Sequence, residues 1–443
     1  MKRSKVSLFS EVAKTEKIPM LVSIIADVKE KGKRAPIDLV CVIDRSGSME
    51  DEGKMELLIN SFNYLLSYLD ENDRICVLKF NQMCFRAGPL QRATPENKEK
   101  LMERIRETKP SGSTNITLAM MHAFTTLKNR RFQNPISSIF LLTDGLDSIG
   151  NVENNMKIML NRFNVPQSTI IHTFGFGNSH DAKLMADIAD MRDGNFYFIE
   201  QLDMIDETFI DCLGGLLSTI THNVELKVTE EHLKIDKAYG DEKLWEKKTD
   251  KEYVTMIGSM VSGSRKDFVF DIVIFKGLEP SVDKVKVASA EAIISTLTGE
   301  KVVKKAELYV EVLREDEEEE KVEDDKEVMR NHYRVRGAEC LNQARIFADS
   351  GKYENAKKIL VEFNVELEKS VLSEEEFIKN LMKDIEKAVG DVKPNEYLKA
   401  GKLNLYQSNR AQMRQKSNLK SSNGYQNEVQ AVMIQEVKMK KKK

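Results

Sequence analysis

Residues 37–44, IDLVCVID, run directly into RSGSM at 45–49, and this stretch decides the reading of the chain. A near-continuous run of Ile, Leu, Val and Cys is the pattern of a strand covered on both faces, as in a parallel sheet under helices. Similar short runs follow at RICVLKF (74–80), ISSIFLLTD (ending at Asp144), STIIHTFGFG (168–177) and NFYFIE (195–200). Between them KMELLINSFNYLLSYL, ENKEKLMERIRE, ITLAMMHAFTTLKN, DAKLMADIADM and DMIDETFIDCLGGLLSTI place apolar residues three and four apart, the period of a helix with one buried face. Alternating strands and helices predict an α/β unit with a doubly wound, mostly parallel sheet. Such sheets bind ligands at the carboxyl ends of their strands, so the residues just after each apolar run carry the functional interest.

Outward from this unit the period changes to two. PMLVSIIADVK (19–29) alternates before it, and NVELKVTEE, YVTMIGSM, KDFVFDIVIF, DKVKVASAEAI and AELYVEVL alternate after it, from Asn223 to Leu313. These read as strands of a β-sandwich. A lone strand is marginal in water, so the early one is expected to join the later ones, with the α/β unit inserted between them. The alternative is an edge strand on the α/β sheet. REDEEEEKVEDDKE is a charged boundary. Beyond it ECLNQARIFADSGKYENAKKILVEF reads as a helix hairpin, and Phe377, Leu381 and Ile385, then Tyr397 to Met413, suggest two more helices of a small α-helical domain. The hairpin is like a single tetratricopeptide unit, but no second copy follows at the expected period, and a lone repeat cannot bury its face. The expected division is a tail at 1–17, a sandwich strand at 18–34, the α/β unit at 35–222, the sandwich at 223–313, an acidic linker at 314–327, helices at 328–415 and a flexible basic tail at 416–443.

The 443 residues are 41% apolar and 31% charged with a formal net charge of −3, a globular composition without the basic excess of a nucleic-acid binder. The start, MKRSKVSLFSEVAK, lacks the apolar run of a secretory signal, and no window approaches the roughly 18 apolar residues of a membrane span. The five cysteines have no paired spacing and read as free thiols in a reducing compartment, which gives a cytoplasmic expectation.

The residues that carry chemistry stand at three strand ends. DRSGSM supplies Asp44, Ser46 and Ser48; SGSTNIT supplies Thr114 at the opening of a helix; LLTDG supplies Asp144. Taken singly, each suits a turn or a helix cap. Together, in a doubly wound sheet, they bring two carboxylates and three hydroxyls to one point. An all-oxygen set suits a hard divalent cation, Mg²⁺ first and Mn²⁺ or Ca²⁺ as alternatives. Two carboxylates neutralise such an ion without enclosing it, leaving a position for an Asp or Glu of a partner protein.

DxSxS, Thr in a GSTN loop and TDG together resemble the metal-ion-dependent adhesion site of von Willebrand factor type A (VWA) domains. In that family the hydroxyls bind the ion and the aspartates act directly or through water. The resemblance implies these roles for Ser46, Ser48, Thr114, Asp44 and Asp144. VCVIDRSGSM, HTFGFGNSHDAKLM and DGNFYFIEQLDMIDETFIDCLGG extend the resemblance to cytoplasmic eukaryotic VWA proteins with a flanking β-sandwich and C-terminal helices. Some of those carry a RING finger and act in ubiquitin ligation, and others a Hint domain. The first 35 residues here contain no Cys or His, so neither a RING there nor ligase activity is expected. The expected function is an intracellular protein interaction module rather than an enzyme. The alternative is a scaffold docked through its C-terminal helices, with a ubiquitin-pathway association resting on resemblance alone. No nucleotide loop of the GxxxxGK[ST] type occurs, no Ser or Cys has a recognisable base, His172 and His180 suit core or cap roles, and Lys438 and Lys440–Lys443 read as a solvated tail.

Overall fold

The computed structural model describes residues 4–6, 17–28, 34–144, 146–177, 180–199, 204–240, 244–274, 284–312, 324–416 and 425–441. The chain opens with β1 (Ser4–Val6) and β2 (Ile18–Ile25) and then enters the α/β unit. Its strands are β3 (Ile37–Asp44), β4 (Arg74–Phe80), the short β5 (Cys84–Arg86) and β6 (Gln91–Arg92), β7 (Ile136–Thr143), β8 (Thr169–Phe176) and β9 (Phe196–Ile199). Its helices are α1 (Lys54–Tyr68), α2 (Pro95–Arg106), α3 (Ile116–Lys128), α4 (Val152–Arg162), α5 (Ala182–Asp190) and α6 (Ile205–Leu217).

The sheet order is β5-β4-β3-β7-β8-β9, with β6 also on β4. The long strands run parallel, and β5 and β6 return antiparallel along the β4 edge. Residue alternation sends Leu39, Cys41 and Ile43 into a core with α1, α2 and α6, and Val40 and Val42 into a second core with α3, α4 and α5. From β3 the chain winds first to β4 on one side and later to β7 on the other. The crevice of a doubly wound sheet therefore opens above the carboxyl ends of β3 and β7. Helix α4 adds to the helices expected from the sequence; NVENNMKIMLNR is polar enough that only Val152, Met156, Met159 and Leu160 turn inward.

After α6 the chain continues into β10 (Thr219–Glu230), β11 (Leu233–Ala238), β12 (Glu246–Thr249), β13 (Glu252–Val261), β14 (Arg265–Ile274), β15 (Val285–Thr296) and β16 (Lys301–Val312). One sheet has the order β1-β16-β15-β10-β13-β12 and the other β11-β14-β2. Strand β2 pairs antiparallel with β14 along its whole length, from Ile18 opposite Ile272 to Ile25 opposite Arg265. The early strand thus belongs with the later ones and not at the edge of the α/β sheet. Met20, Val224, Leu226, Val228, Phe268 and Phe270 fill the space between the two sheets.

The C-terminal helices are α7 (Lys326–Asp349), α8 (Tyr353–Lys369), α9 (Glu376–Asp391), the single turn α10 (Pro394–Glu396), α11 (Lys402–Arg414) and α12 (Glu428–Lys441). Helices α7, α8, α9 and α11 share a core around Leu341, Leu360, Leu381 and Leu405. Most of the acidic stretch at 314–327 lies outside the described residues. Arg334 on α7 is fully buried and donates to the carbonyls of Gln412 and of Asp267 on β14, which fixes the bundle to the sandwich. Arg410 on α11 forms an ion pair with Asp190 at the end of α5.

The expectation of a flexible tail at 416–443 is corrected for 428–441. Helix α12 lies along α6, with Met433, Ile434 and Val437 inside the same core as α1 and the sheet. Buried Gln430 donates to the Asp211 carbonyl at 2.9 Å, and Tyr68 donates to Glu436 at 2.9 Å. The sequence shows a short amphipathic stretch around Val429 to Val437, and three of its apolar residues with one amide make the docking contact. Ile434→Ala is expected to cost about 2–4 kcal/mol by leaving a cavity under α6. The exposed Val432→Ala should change stability by less than about 0.5 kcal/mol. Urea denaturation followed by far-ultraviolet circular dichroism measures both; equal midpoints would mean that α12 is not part of the folded core.

Candidate metal site

Strand β3 ends at Asp44 and β7 at Thr143, one residue before Asp144. Register places Ile43 opposite Leu142, so the two carboxylates emerge side by side at the top of the switch point. Asp44 is fully buried. Its Oδ1 accepts the Ser46 N–H at 2.7 Å and its Oδ2 accepts the Thr143 hydroxyl. Burial, with the charge of Asp144 as a smaller contribution, raises the Asp44 pKa to about 6 against the opposing hydrogen bonds from Thr143 and Ser46. Ser48 donates to Asp144 Oδ1 at 2.7 Å, and the Ser46 and Ser48 hydroxyls lie 3.2 Å apart. Four of the five residues singled out from the sequence therefore form one cluster.

Thr114 arrives on a different loop that is laced to both strand ends. Gly47 N–H donates to the Gly112 carbonyl at 3.0 Å and Ser111 N–H to that of Arg45 at 2.7 Å, which ties the loop to the DRSGSM segment. Gly112 has φ +79°, a conformation that favours glycine and lets its carbonyl turn toward Gly47. On the other side Ser148 N–H donates to the Thr114 carbonyl at 2.8 Å, and Thr114 N–H donates to Ser148 Oγ at 3.2 Å. Thr114 is buried, and among the described residues its hydroxyl makes no hydrogen bond to the other four. Gly145, which follows Asp144 in the TDG triplet, lies outside the described residues.

Three participants were not singled out from the sequence. Thr143 holds Asp44 in place. Asp147 accepts the Ile116 N–H at 2.8 Å and so shares the capping of α3 with Asn115. Lys54, at the first turn of α1, places its Nζ 2.8 Å from Asp144 Oδ2 and 3.4 Å from the Ser48 carbonyl. The signal for Lys54 was its position ten residues after Asp44 and one helix entry away; nothing in the spacing alone says that an ammonium folds back onto the strand end.

The donor set fits a hard divalent cation. All candidate ligand atoms are oxygen, two are carboxylates, and the ammonium of Lys54 already supplies a positive charge where Asp144 is almost fully buried. Among the described residues no group of three or more His, Cys, Asp or Glu forms a metal cluster, so this site depends on its hydroxyls. His172 and His180 are elsewhere in the core. Burial lowers their pKa values to about 3 and about 4, which keeps both neutral. His180 packs against Phe196 and Phe198, and the cap of α5 is the neighbouring Asp181, whose side chain accepts the Leu184 N–H.

Comparison with known proteins agrees with the fold. The family model for the von Willebrand factor type A domain matches residues 38–209. The chain is 26% identical over 206 residues to an E3 ubiquitin-protein ligase, WAV3, of Arabidopsis thaliana, a match covering 45% of this chain and 25% of that protein. It is 25% identical over 212 residues to the uncharacterized protein YfbK of Escherichia coli K12, covering 47% and 36%. The matched part thus spans a quarter to about a third of these two relatives. Among solved structures, a von Willebrand factor type A protein from Catenulispora acidiphila superposes with a TM-score of 0.64 at 13% identity, over 90% of this chain and 98% of that one. The ArnB paralog VWA2 of Sulfolobus acidocaldarius superposes with a TM-score of 0.56 at 17% identity, over 89% and 93%. At such identities the likeness concerns the fold, and it takes in the flanking sheets and helices as well. The segment from 38 to 209, with its switch-point cluster of Asp44, Ser46, Ser48 and Asp144, is a von Willebrand factor type A domain.

Proposed function

We propose that the chain is an interaction module that captures a partner protein through a divalent cation held by Asp44, Ser46, Ser48, Thr114 and Asp144. The observation that carries this reading is the meeting of carboxylates and hydroxyls at the switch point, every candidate ligand atom being oxygen. A bound cation supplies a Lewis-acidic position for an outside carboxylate. The chain's own residues do the rest: Thr143 and the Ser46 amide orient Asp44, Ser48 orients Asp144, and the interlaced backbone of residues 45–48, 111–115 and 146–150 keeps the loops in register. Mg²⁺ is the ion proposed, with Mn²⁺ or Ca²⁺ taking the same place.

The rim suggests the partner's character. Met83 (54% exposed) stands on the turn after β4 and Phe85 (43%) on β5, and Leu146 (61%) and Ile149 (64%) stand on the loop after β7. Those loops bracket Thr114: Asn115 N–H donates to the Asn81 carbonyl, Ser113 N–H to Gln82, and Ser148 closes the other side. A carboxylate flanked by apolar side chains would meet the cation and the rim together. The name of the plant relative is not carried over, because the match covers a quarter of that protein. A reducing compartment such as the cytoplasm is part of the proposal, in keeping with the five free cysteines.

Titration of the full chain with Mg²⁺ and Mn²⁺, read by calorimetry, is expected to give one saturable site. Asp44→Ala and Asp144→Ala should each weaken it more than tenfold, about 1.4 kcal/mol or more; an unchanged isotherm in both variants would refute the assignment. Leu146→Ser combined with Ile149→Ser should lower capture of an acidic, apolar-flanked peptide and leave the metal isotherm alone. Lys54→Met removes a buried ion-pair partner of Asp144, and breaking such pairs costs roughly 3–5 kcal/mol. The variant is therefore expected to melt well below the wild type in EDTA and to close much of that gap in saturating Mg²⁺. A gap of the same size in both conditions would show that Lys54 does not stand in for the ion's charge.

A further inference from the structure

Far from the metal site, a cavity of about 90 Å³ lies where the VWA domain, the sandwich and the C-terminal segment meet. His172 and Asp193 line it from the first, Ser264 and Lys266 from the second, and Lys416 and Tyr425 from the third. On the same measure a single water needs about 10–15 Å³, so the space holds several waters or one polyatomic ion.

The walls hold several donors with protons still to give. His172 Nδ1 accepts the Asn195 N–H at 3.0 Å, which assigns the ring proton to Nε2, and among the described residues Nε2 is buried without a partner. Lys266 Nζ donates to the carbonyls of Arg414 and Gln415, and Lys416 Nζ to the carbonyl and Oδ1 of Asp193; an ammonium has three protons, so each keeps one more to give. Among the described residues the Ser264 hydroxyl is also buried without a partner. Asp193 Oδ1 accepts from Lys416 and Oδ2 from the Ser259 N–H at 3.1 Å, and the Tyr425 hydroxyl gives its proton to Gln412. Charge runs the same way. Lys266 is buried and Lys416 largely so; Arg414 adds to the repulsion on both and Arg334 to that on Lys266, while Asp193 faces both lysines and Asp190 acts on Lys416 as well. Burial, then the neighbouring Lys416, lowers the Lys266 pKa to about 7. Buried charge and buried unmet donors are both costly, and one anion would answer both.

We propose that this junction cavity binds a small tetrahedral oxyanion, inorganic phosphate or sulfate, through Lys266, Lys416, His172 Nε2 and the Ser264 hydroxyl. Because each of the three parts of the chain contributes a donor, the anion would pin them to one another. The proposal is independent of the metal site.

The test is calorimetric titration of the full chain with sodium phosphate and with sodium sulfate in EDTA, against sodium chloride at matched ionic strength. Saturable binding of phosphate or sulfate but not chloride is expected, with the same affinity in Asp44→Ala. Lys266→Met and His172→Phe should each weaken it at least tenfold while circular dichroism stays that of the wild type. Phenyl phosphate as a further titrant separates the free ion from a phosphate ester: binding of phosphate alone names the free ion, and binding of both names an ester as an equal source of the same group. Absence of saturable oxyanion binding by the wild type would overturn the proposal whatever the variants do. So would undiminished binding in two folded variants.

Discussion

The parallel pairing of β3 with β7 is the constraint on which the rest of the molecule rests. It sets Asp44 beside Thr143 and Asp144, and because β4 occupies the other side of β3, the chain must wind away in both directions and leave the strand tops uncovered. Every site residue is positioned by that arrangement. Full burial of β3 on both faces, with six of its positions given to Ile, Leu, Val and Cys, means that a slip in register would drive Asp38 and Asp44 into an apolar core, which the cost of an unpaired buried carboxylate forbids.

The two carboxylates at the strand tops are unlike each other. Asp44 is held by neutral donors and its proton affinity is raised by its surroundings, whereas Asp144 has a tethered ammonium in contact. A positive charge near both is the common requirement, and Lys54 satisfies half of it. Flexible as it is, a lysine on the first turn of a helix can move aside without disturbing the backbone that shapes the loops.

Much of this was legible in the sequence because the signals were local. IDLVCVID, ISSIFLLTD and STIIHTFGFG are each buried at nearly every position, so their composition alone identifies central strands. The cluster of Asp44, Ser46, Ser48 and Asp144 was legible because strand ends in this topology converge by rule, and the backbone lacing of Thr114 follows from the same rule. What was not legible depends on distant partners. Helix α12 is a short amphipathic stretch, Val429 to Val437, in a lysine-rich tail, and the surface of α6 is what gives Met433, Ile434 and Val437 a place to bury. Lys54 on Asp144 and Arg334 on the Asp267 carbonyl are contacts between residues with no sequence relation. The donor-rich junction needs three parts of the chain at once, and each lysine in isolation reads as an ordinary surface charge.

The pairing of β2 with β14 also governs the order of events on the ribosome. Ile25 finds Arg265 only after the whole α/β unit has been made, and at about 5–20 residues per second that interval is on the order of 10–50 s. Throughout it a half-apolar strand has emerged without the neighbour that completes its sheet. The inserted domain can close around its own core in the meantime, bringing its flanks back toward each other, as the bonds of Asp27 to Gly263 and of Ser218 to Ser262 show, and so shortening the search that the waiting strand must make.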